Sequence, residues 1–94
     1  MKYKINYSNL LKKDYKKAKK RGLDINELNK VIRMLGDGKK LPIKYRDHRL
    51  KDDKRYKDAR GCHLSPDWLL IYKKEEDIAV LTLDRTGTHS DLFG

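Results

Sequence analysis

Six side chains of this 94-residue chain could move protons, grip a phosphate or carry a nucleobase: His48, His63, Asp67, Arg85, His89 and Phe93. RNA carries its own nucleophile, the 2′-hydroxyl, so in-line attack on the adjacent phosphorus needs only a base, an acid for the leaving 5′-oxygen and cations for the phosphorane charge. Histidine suits both proton roles, because its ordinary pKa of about 6.5 lets either form exist near neutrality. His89 is the candidate general acid and His48 or Asp67 the candidate base, with His63 orienting the substrate or sharing the base role. Arg85 would contact the phosphate, and Phe93, one residue from the end, offers a ring on which a base could stack. Together these are the parts of a metal-free ribonuclease.

Each residue also has a plainer reading. His48 lies in a charged loop and could be a solvated surface residue. His63 could be an ordinary strand residue, and Asp67 follows Pro66 as turn formers do. Arg85 could pair with Asp84 or Asp91, and Phe93 could pack back onto the core. Cys62 beside His63 is not a thiol dyad, because strand neighbours point to opposite faces; its parity with Leu64 makes it a small core residue.

The elements that must hold these residues can be read from spacing. Tyr3, Ile5 and Tyr7 alternate with polar residues as in a half-buried strand. Ser8 is the expected N-cap of a helix over Asn9 to Arg21, with Leu11, Tyr15 and Ala18 at helical spacing and Gly22 as its stop. Asp24 and Glu27 resemble a capping box before a stripe of Leu28, Val31, Ile32 and Leu35 that ends at Gly36 and Gly38. From Lys39 to Arg55 the pattern is that of a mobile loop broken by Pro42, with a short strand around Leu50. Three strands follow, Ala59 to Leu64, Trp68 to Lys73 and Ile78 to Leu83, joined by links of hairpin length. The order predicts a single α+β domain over residues 1–94: an N-terminal strand, a two-helix hairpin, then an antiparallel meander of three to four strands with the helices on one sheet face.

Charge is divided unevenly. Residues 1–50 carry 16 Lys/Arg against 5 Asp/Glu, a balance of +11, while residues 51–94 carry 8 against 9, a balance of −1. Lys12, Lys13, Lys16, Lys17, Lys19, Lys20 and Arg21 crowd the first helix with only Asp14 to offset them. Like charges that close weaken a helix unless a polyanion compensates them, so this helix is the candidate surface for RNA or the ribosome. The longest apolar run, Trp68 to Tyr72, is too short to span a bilayer, and the first residues lack the apolar stretch of a signal peptide. A cytoplasmic protein without membrane contact is expected. One cysteine forms no internal disulfide, and three dispersed histidines show no zinc-like spacing. No cofactor or metal is called for.

Several motifs carry a resemblance. The lysine-rich first helix, Leu41 to Leu50 with His48 inside it, Cys62 to Tyr72 with His63, Asp67 and Trp68, and Arg85 to Phe93 with His89 occur in the order found in the YafQ branch of the RelE/ParE toxin superfamily. The chain resembles that branch over nearly its whole length. The resemblance implies the RelE-like microbial ribonuclease fold and a type II toxin, namely a ribosome-dependent mRNA endonuclease that needs no metal. It implies functional positions at His48, His63, Asp67, His89 and Phe93, a phosphate contact at Arg85, and Trp68 within the substrate-binding motif. The run Lys51 to Lys57 is longer and more charged than the branch leads one to expect.

The implied partners are the ribosome with its mRNA and a cognate antitoxin of the DinJ/RelB type, joined to the otherwise monomeric toxin in a hetero-oligomer. A surface of net charge +10 suits an acidic, partly disordered segment that wraps it. A non-catalytic nucleic-acid binder, and a toxin acting on another target such as gyrase, are the competing readings. In the first, losing His89 would leave function intact; in the second, several proton-transfer groups would have no use.

Overall fold

The first helix begins and ends where its capping residues require. In a computed structural model that describes residues 1–51 and 53–94, strand β1 (Lys4–Tyr7) leads into α1 (Asn9–Lys20). The Ser8 hydroxyl accepts from Leu11 N at 2.9 Å and donates to the Asp84 carbonyl at 2.6 Å, so one side chain both caps the helix and ties it to a distant strand. Gly22, at φ +76°, supplies the left-handed turn that ends α1. Helix α2 (Ile25–Gly36) buries Leu28, Val31, Ile32 and Leu35, the stripe predicted from spacing. Its capping box is half made. Asp24 accepts from Glu27 N at 3.3 Å, but the Glu27 carboxylate accepts from the Tyr45 hydroxyl instead of reaching back.

Beyond α2 come a 3-10 turn at Ile43–Tyr45, the two-residue strand β2 (His48–Arg49) and a second 3-10 turn at Lys54–Tyr56. The segment expected to be loop is thus mostly turns, with its short strand just before Leu50; Asp52 lies outside the described residues. Then β3 (Arg60–Ser65), β4 (Trp68–Glu75) and β5 (Val80–Gly87) form the antiparallel meander, closed by the short helix α3 (His89–Phe93).

The sheet order is β1-β5-β4-β3-β2. β1 pairs with β5 in parallel, so the sheet is mixed rather than a simple antiparallel meander. β5 also starts and ends later than expected, at Val80 and Gly87 rather than Ile78 and Leu83. Its polar half is held by side-chain bonds to α1 instead of apolar alternation: Asp14 takes Arg85 Nε at 2.7 Å and Thr86 N at 3.2 Å.

Register divides the sheet into two faces. Cys62 opposes Leu70 and Tyr72 opposes Leu83, and this set packs beneath α1 and α2 with Leu11, Leu28, Val31 and Leu35. Burying each such leucine is worth roughly 2 kcal/mol. On the other face, Gly61 opposes Ile71 and Leu69 opposes His63, and a smaller core forms from Leu69, Ile71, Tyr56, Ala59 and Leu92. The chemistry-bearing residues belong to this second face, beside the smaller core.

Candidate active site

The register that defines the second face also aligns the histidines. His48 opposes Gly61 across β2 and β3, and His63 stands two residues along β3, so both project on the side of Leu69 and Ile71. The third histidine arrives from the far end of the sheet. Thr88 caps α3 by accepting from Asp91 N at 3.1 Å, while the Asp91 carboxylate accepts from Thr88 N at 3.1 Å, a full capping box that starts the helix at His89. The result is a row. Ring centroids lie 6.1 Å apart for His48 and His63, 5.8 Å for His63 and His89, and 6.0 Å for His89 and Phe93.

The hydrogen bonds of the outer two rings fix which nitrogen is available. His48 Nδ1 lies 2.8 Å from the Arg46 carbonyl, which can only accept, so Nδ1 carries the proton and Nε2 of the neutral ring keeps a free lone pair. Arg46 sits in the left-handed region at φ 46° at the end of the first 3-10 turn, just before the chain enters β2. At the other end, Asp67 in the β3–β4 turn accepts from both His89 N and His89 Nδ1, each at 3.2 Å. These two bonds, backbone first, hold the Asp67 carboxyl below its ordinary range, so it stays ionised and leaves His89 Nε2 as the outward nitrogen.

His63 differs from its neighbours. Burial first, then the charges of Arg46, His89 and His48, push its imidazole below its ordinary value, so it is neutral at pH 7. Its Nδ1 is buried without a partner among the described residues.

Phe93 is half-buried and pinned from behind. The Tyr56 ring meets it edge-on at 5.4 Å, the Tyr56 hydroxyl donates to the Leu92 carbonyl at 2.7 Å, and Arg55 Nη2 donates to the Phe93 carbonyl at 3.2 Å. Asp91 does more than cap. It accepts from Arg21 Nη1 at 2.9 Å and lies 3.7 Å from Lys17 Nζ, which fastens α3 to α1. The Arg21 bond, followed by the Thr88 amide, drives the Asp91 carboxyl far below the usual carboxylate range. Gly87 makes room for this arrangement, since a Cβ there would meet Asp91 atoms at 3.0 Å.

Two expected substrate contacts have partners within the protein. Arg85 Nε and Nη2 bond Asp14 at 2.7 and 3.1 Å in a half-buried pair, and neither Asp84 nor Asp91 is its partner. Trp68 is only 4% exposed and packs within the larger core. Cys62 is a core residue as expected, its thiol pushed up to about 12, chiefly by burial. The α1 lysines Lys12, Lys13, Lys16, Lys17, Lys19 and Lys20 are all exposed, with Lys17 partly engaged by Asp91. Among the described residues no group of three or more His, Cys, Asp or Glu is arranged to hold a metal ion. Asp91, Tyr56 and the Arg46 carbonyl went unrecognised in the sequence. Only Asp91 left a signal there, the Thr88-x-x-Asp91 spacing of a capping box.

Residues 3–94 match the family described as the bacterial toxin of the type II toxin-antitoxin system, YafQ. The chain belongs to the YafQ toxin family. It is 44% identical over 91 residues to the mRNA interferase toxin YafQ of Escherichia coli BL21-DE3, covering 96% of this chain and 95% of that protein. Two solved structures share the fold. Escherichia coli YafQ from BL21(DE3) superposes with a TM-score of 0.89 at 40% identity, over 98% of this chain and 99% of that one. YafQ in the E. coli DinJ-YafQ toxin-antitoxin complex gives 0.88 at 40% identity over the whole of both chains. Family membership therefore extends across both faces of the sheet and includes α3.

Proposed function

We propose that this YafQ-family chain is the toxin of a type II toxin-antitoxin pair and an endoribonuclease that cuts mRNA on the ribosome. The observation that carries the reading is the row of three imidazoles whose outer members both have Nδ1 occupied and Nε2 free. An in-line reaction at phosphorus needs a proton acceptor on one side and a proton donor on the other, and a row with two outward Nε2 atoms supplies both.

The steps follow from these roles. His48 Nε2 takes the proton of the 2′-hydroxyl as the 2′-oxygen attacks phosphorus. The bond from phosphorus to the 5′-oxygen breaks, and protonated His89 gives its Nε2 proton to that oxygen. The products are a 2′,3′-cyclic phosphate and a 5′-hydroxyl. Asp67 keeps the His89 ring oriented and lies beside it as a counter-charge while it is protonated. An exposed carboxylate already bonded twice to His89 is a poor proton acceptor, which favours His48 over Asp67 as the base. Neutral His63 between them donates from Nε2 to a non-bridging oxygen, and Phe93 offers its ring to the base next to the cut.

The relative in the DinJ-YafQ complex supports an antitoxin as partner, and the exposed lysines of α1 suit both an acidic antitoxin segment and ribosomal RNA. A toxin of this kind acts in the cytoplasm, and no helix among the described residues is long and apolar enough to cross a membrane. Controlled expression of the wild type and of His89→Ala, with mRNA ends mapped by primer extension, tests the proposal. New in-frame ends accompanied by growth arrest in the wild type alone support it. Equal toxicity without new ends points instead to a toxin that acts by binding.

A further inference from the structure

A second basic concavity lies beyond the C-terminal end of α2, on the sheet face opposite the histidine row, since Arg60 and Lys74 share the parity of Cys62 and Tyr72. It has a volume of about 680 Å³ and is lined by Lys39, Lys40, Arg46, Arg60 and Lys74 over a ledge that includes Ile43. Both carboxylates at its wall accept hydrogen bonds, and only Asp47 does so from a cation. Asp47 accepts from Arg60 Nε at 3.2 Å and from the Tyr72 hydroxyl at 2.6 Å, while Glu76 accepts from the Tyr3 hydroxyl at 3.1 Å. Lys39, Lys40, Arg46 and Lys74 have no carboxylate within ion-pair distance among the described residues. With Arg60 balanced by Asp47, the four other cations outweigh the single charge of Glu76 around one hollow, which leaves it a net cationic site for an anion.

Arg46, just before the edge strand β2, links it to the histidine row on the other face. Arg46 lines this hollow and also a smaller one that contains His63, and the Arg46 carbonyl is the group that holds His48. Ile43 is 94% exposed, an apolar ledge on which a sugar or base could rest between phosphates bound by the cations.

The geometry points to a phosphate-binding track for single-stranded RNA that runs from His48 past Arg46, around the β2 edge of the sheet, into the cavity of Lys39, Lys40 and Lys74. This rests on the ribonuclease reading of the histidine row. The 2′-hydroxyl that His48 would activate belongs to the nucleotide on the 5′ side of the cut, so the cavity takes the RNA upstream of the cleaved bond. A single strand places phosphates at regular intervals, and a groove of cations with an apolar shelf is the general form of sites that hold one.

The test uses the folded protein carrying His89→Ala, so that RNA is not consumed, with and without Lys39→Gln, Lys40→Gln and Lys74→Gln combined. Binding of a fluorescein-labelled 12-nucleotide RNA is followed by anisotropy between 50 and 250 mM KCl. The triple change is expected to raise Kd about tenfold and to reduce the slope of log affinity on log salt by about 2, since each phosphate contact to a single strand contributes roughly 0.7. Its unfolding temperature should match the parent's, because Lys39 and Lys40 are exposed and Lys74 lies at the surface end of β4.

An unchanged Kd and slope, or no measurable RNA binding by the parent at 50 mM KCl, overturns the proposal. So does weakened binding of an acidic antitoxin peptide with RNA binding intact, which would make the cavity a protein dock. The parent reading is checked separately in a translating extract with His89 restored. If the wild type produces no mRNA cuts there, the ribonuclease reading fails. If it cuts while the triple change leaves RNA binding unaltered, only the track fails.

Discussion

The two ends of the histidine row are built differently. His89 starts a helix with a complete capping box, bonds Asp67 twice, and rests on α1 through Asp91 and Arg21. His48 stands on a two-residue strand and is held by one carbonyl, that of Arg46. If His89 is the proton donor and His48 the acceptor, as proposed, the fold fixes the donor in advance and leaves the acceptor to be completed when RNA arrives. Preorganisation at the acid end suits its task, since charge develops on the departing 5′-oxygen and a fixed donor needs no rearrangement to meet it.

This contrast can be broken by mutation. His89→Ala should lower the cleavage rate by about 10³- to 10⁴-fold in a translating extract, the upper range for loss of a general acid. His48→Ala should cost about 10²-fold, because a loosely held base contributes less and solvent can replace part of it. Equal losses at both positions would show that the two ends are equally committed and would end the comparison.

Smaller effects sharpen it. Asp67→Asn should slow cleavage about tenfold, the worth of one charge-assisted bond that orients a ring, with little change in unfolding temperature because the carboxylate is exposed. Asp91→Asn should destabilise the fold by about 1 kcal/mol through the lost cap and ion pair. The folded carboxyl of Asp91 is held below its ordinary 3.8, so its contribution is complete above that pH and fades as the pH falls below it. The variant's acid unfolding curve should accordingly be shallower below about pH 4.

His63 sets a different pH window. Its folded imidazole resists protonation relative to the ordinary 6.5, so the associated stability is full above that value and declines as the pH drops through it. His63→Gln should flatten the dependence of unfolding temperature on pH between about 6.5 and 5. The smallest expected difference is in amide exchange, faster at His48 and Arg49 than at Leu92, whose amide closes α3 onto Thr88.

How far the sequence reveals this arrangement depends on length and period. α1 and α2 were legible because twelve residues give three turns of apolar stripe between recognisable caps. The meander was legible from its alternation and short links. α3 was not, since five residues contain too little period to read, although its capping box was present as Thr88 and Asp91. The parallel pairing of β1 with β5 left no trace either, because alternation shows that a strand is half-buried and not which neighbour it finds. For the candidate site, the residue types of the histidines, Asp67 and Phe93 sufficed to select positions that the fold brings into one cluster. Arg85 and Trp68 stand apart from that cluster: a guanidinium and an indole look functional in a motif, and here one makes an ion pair to α1 and the other packs in a core.

The most direct test of the account is the chemistry of the RNA ends. mRNA cut in a translating extract by the wild type should carry 2′,3′-cyclic phosphate and 5′-hydroxyl termini, and a 2′-deoxy nucleotide at the mapped cut should abolish cleavage there. Termini bearing a 5′-phosphate, or cleavage that persists at the deoxy position, would contradict transfer through the 2′-hydroxyl and with it the proton roles of His48 and His89.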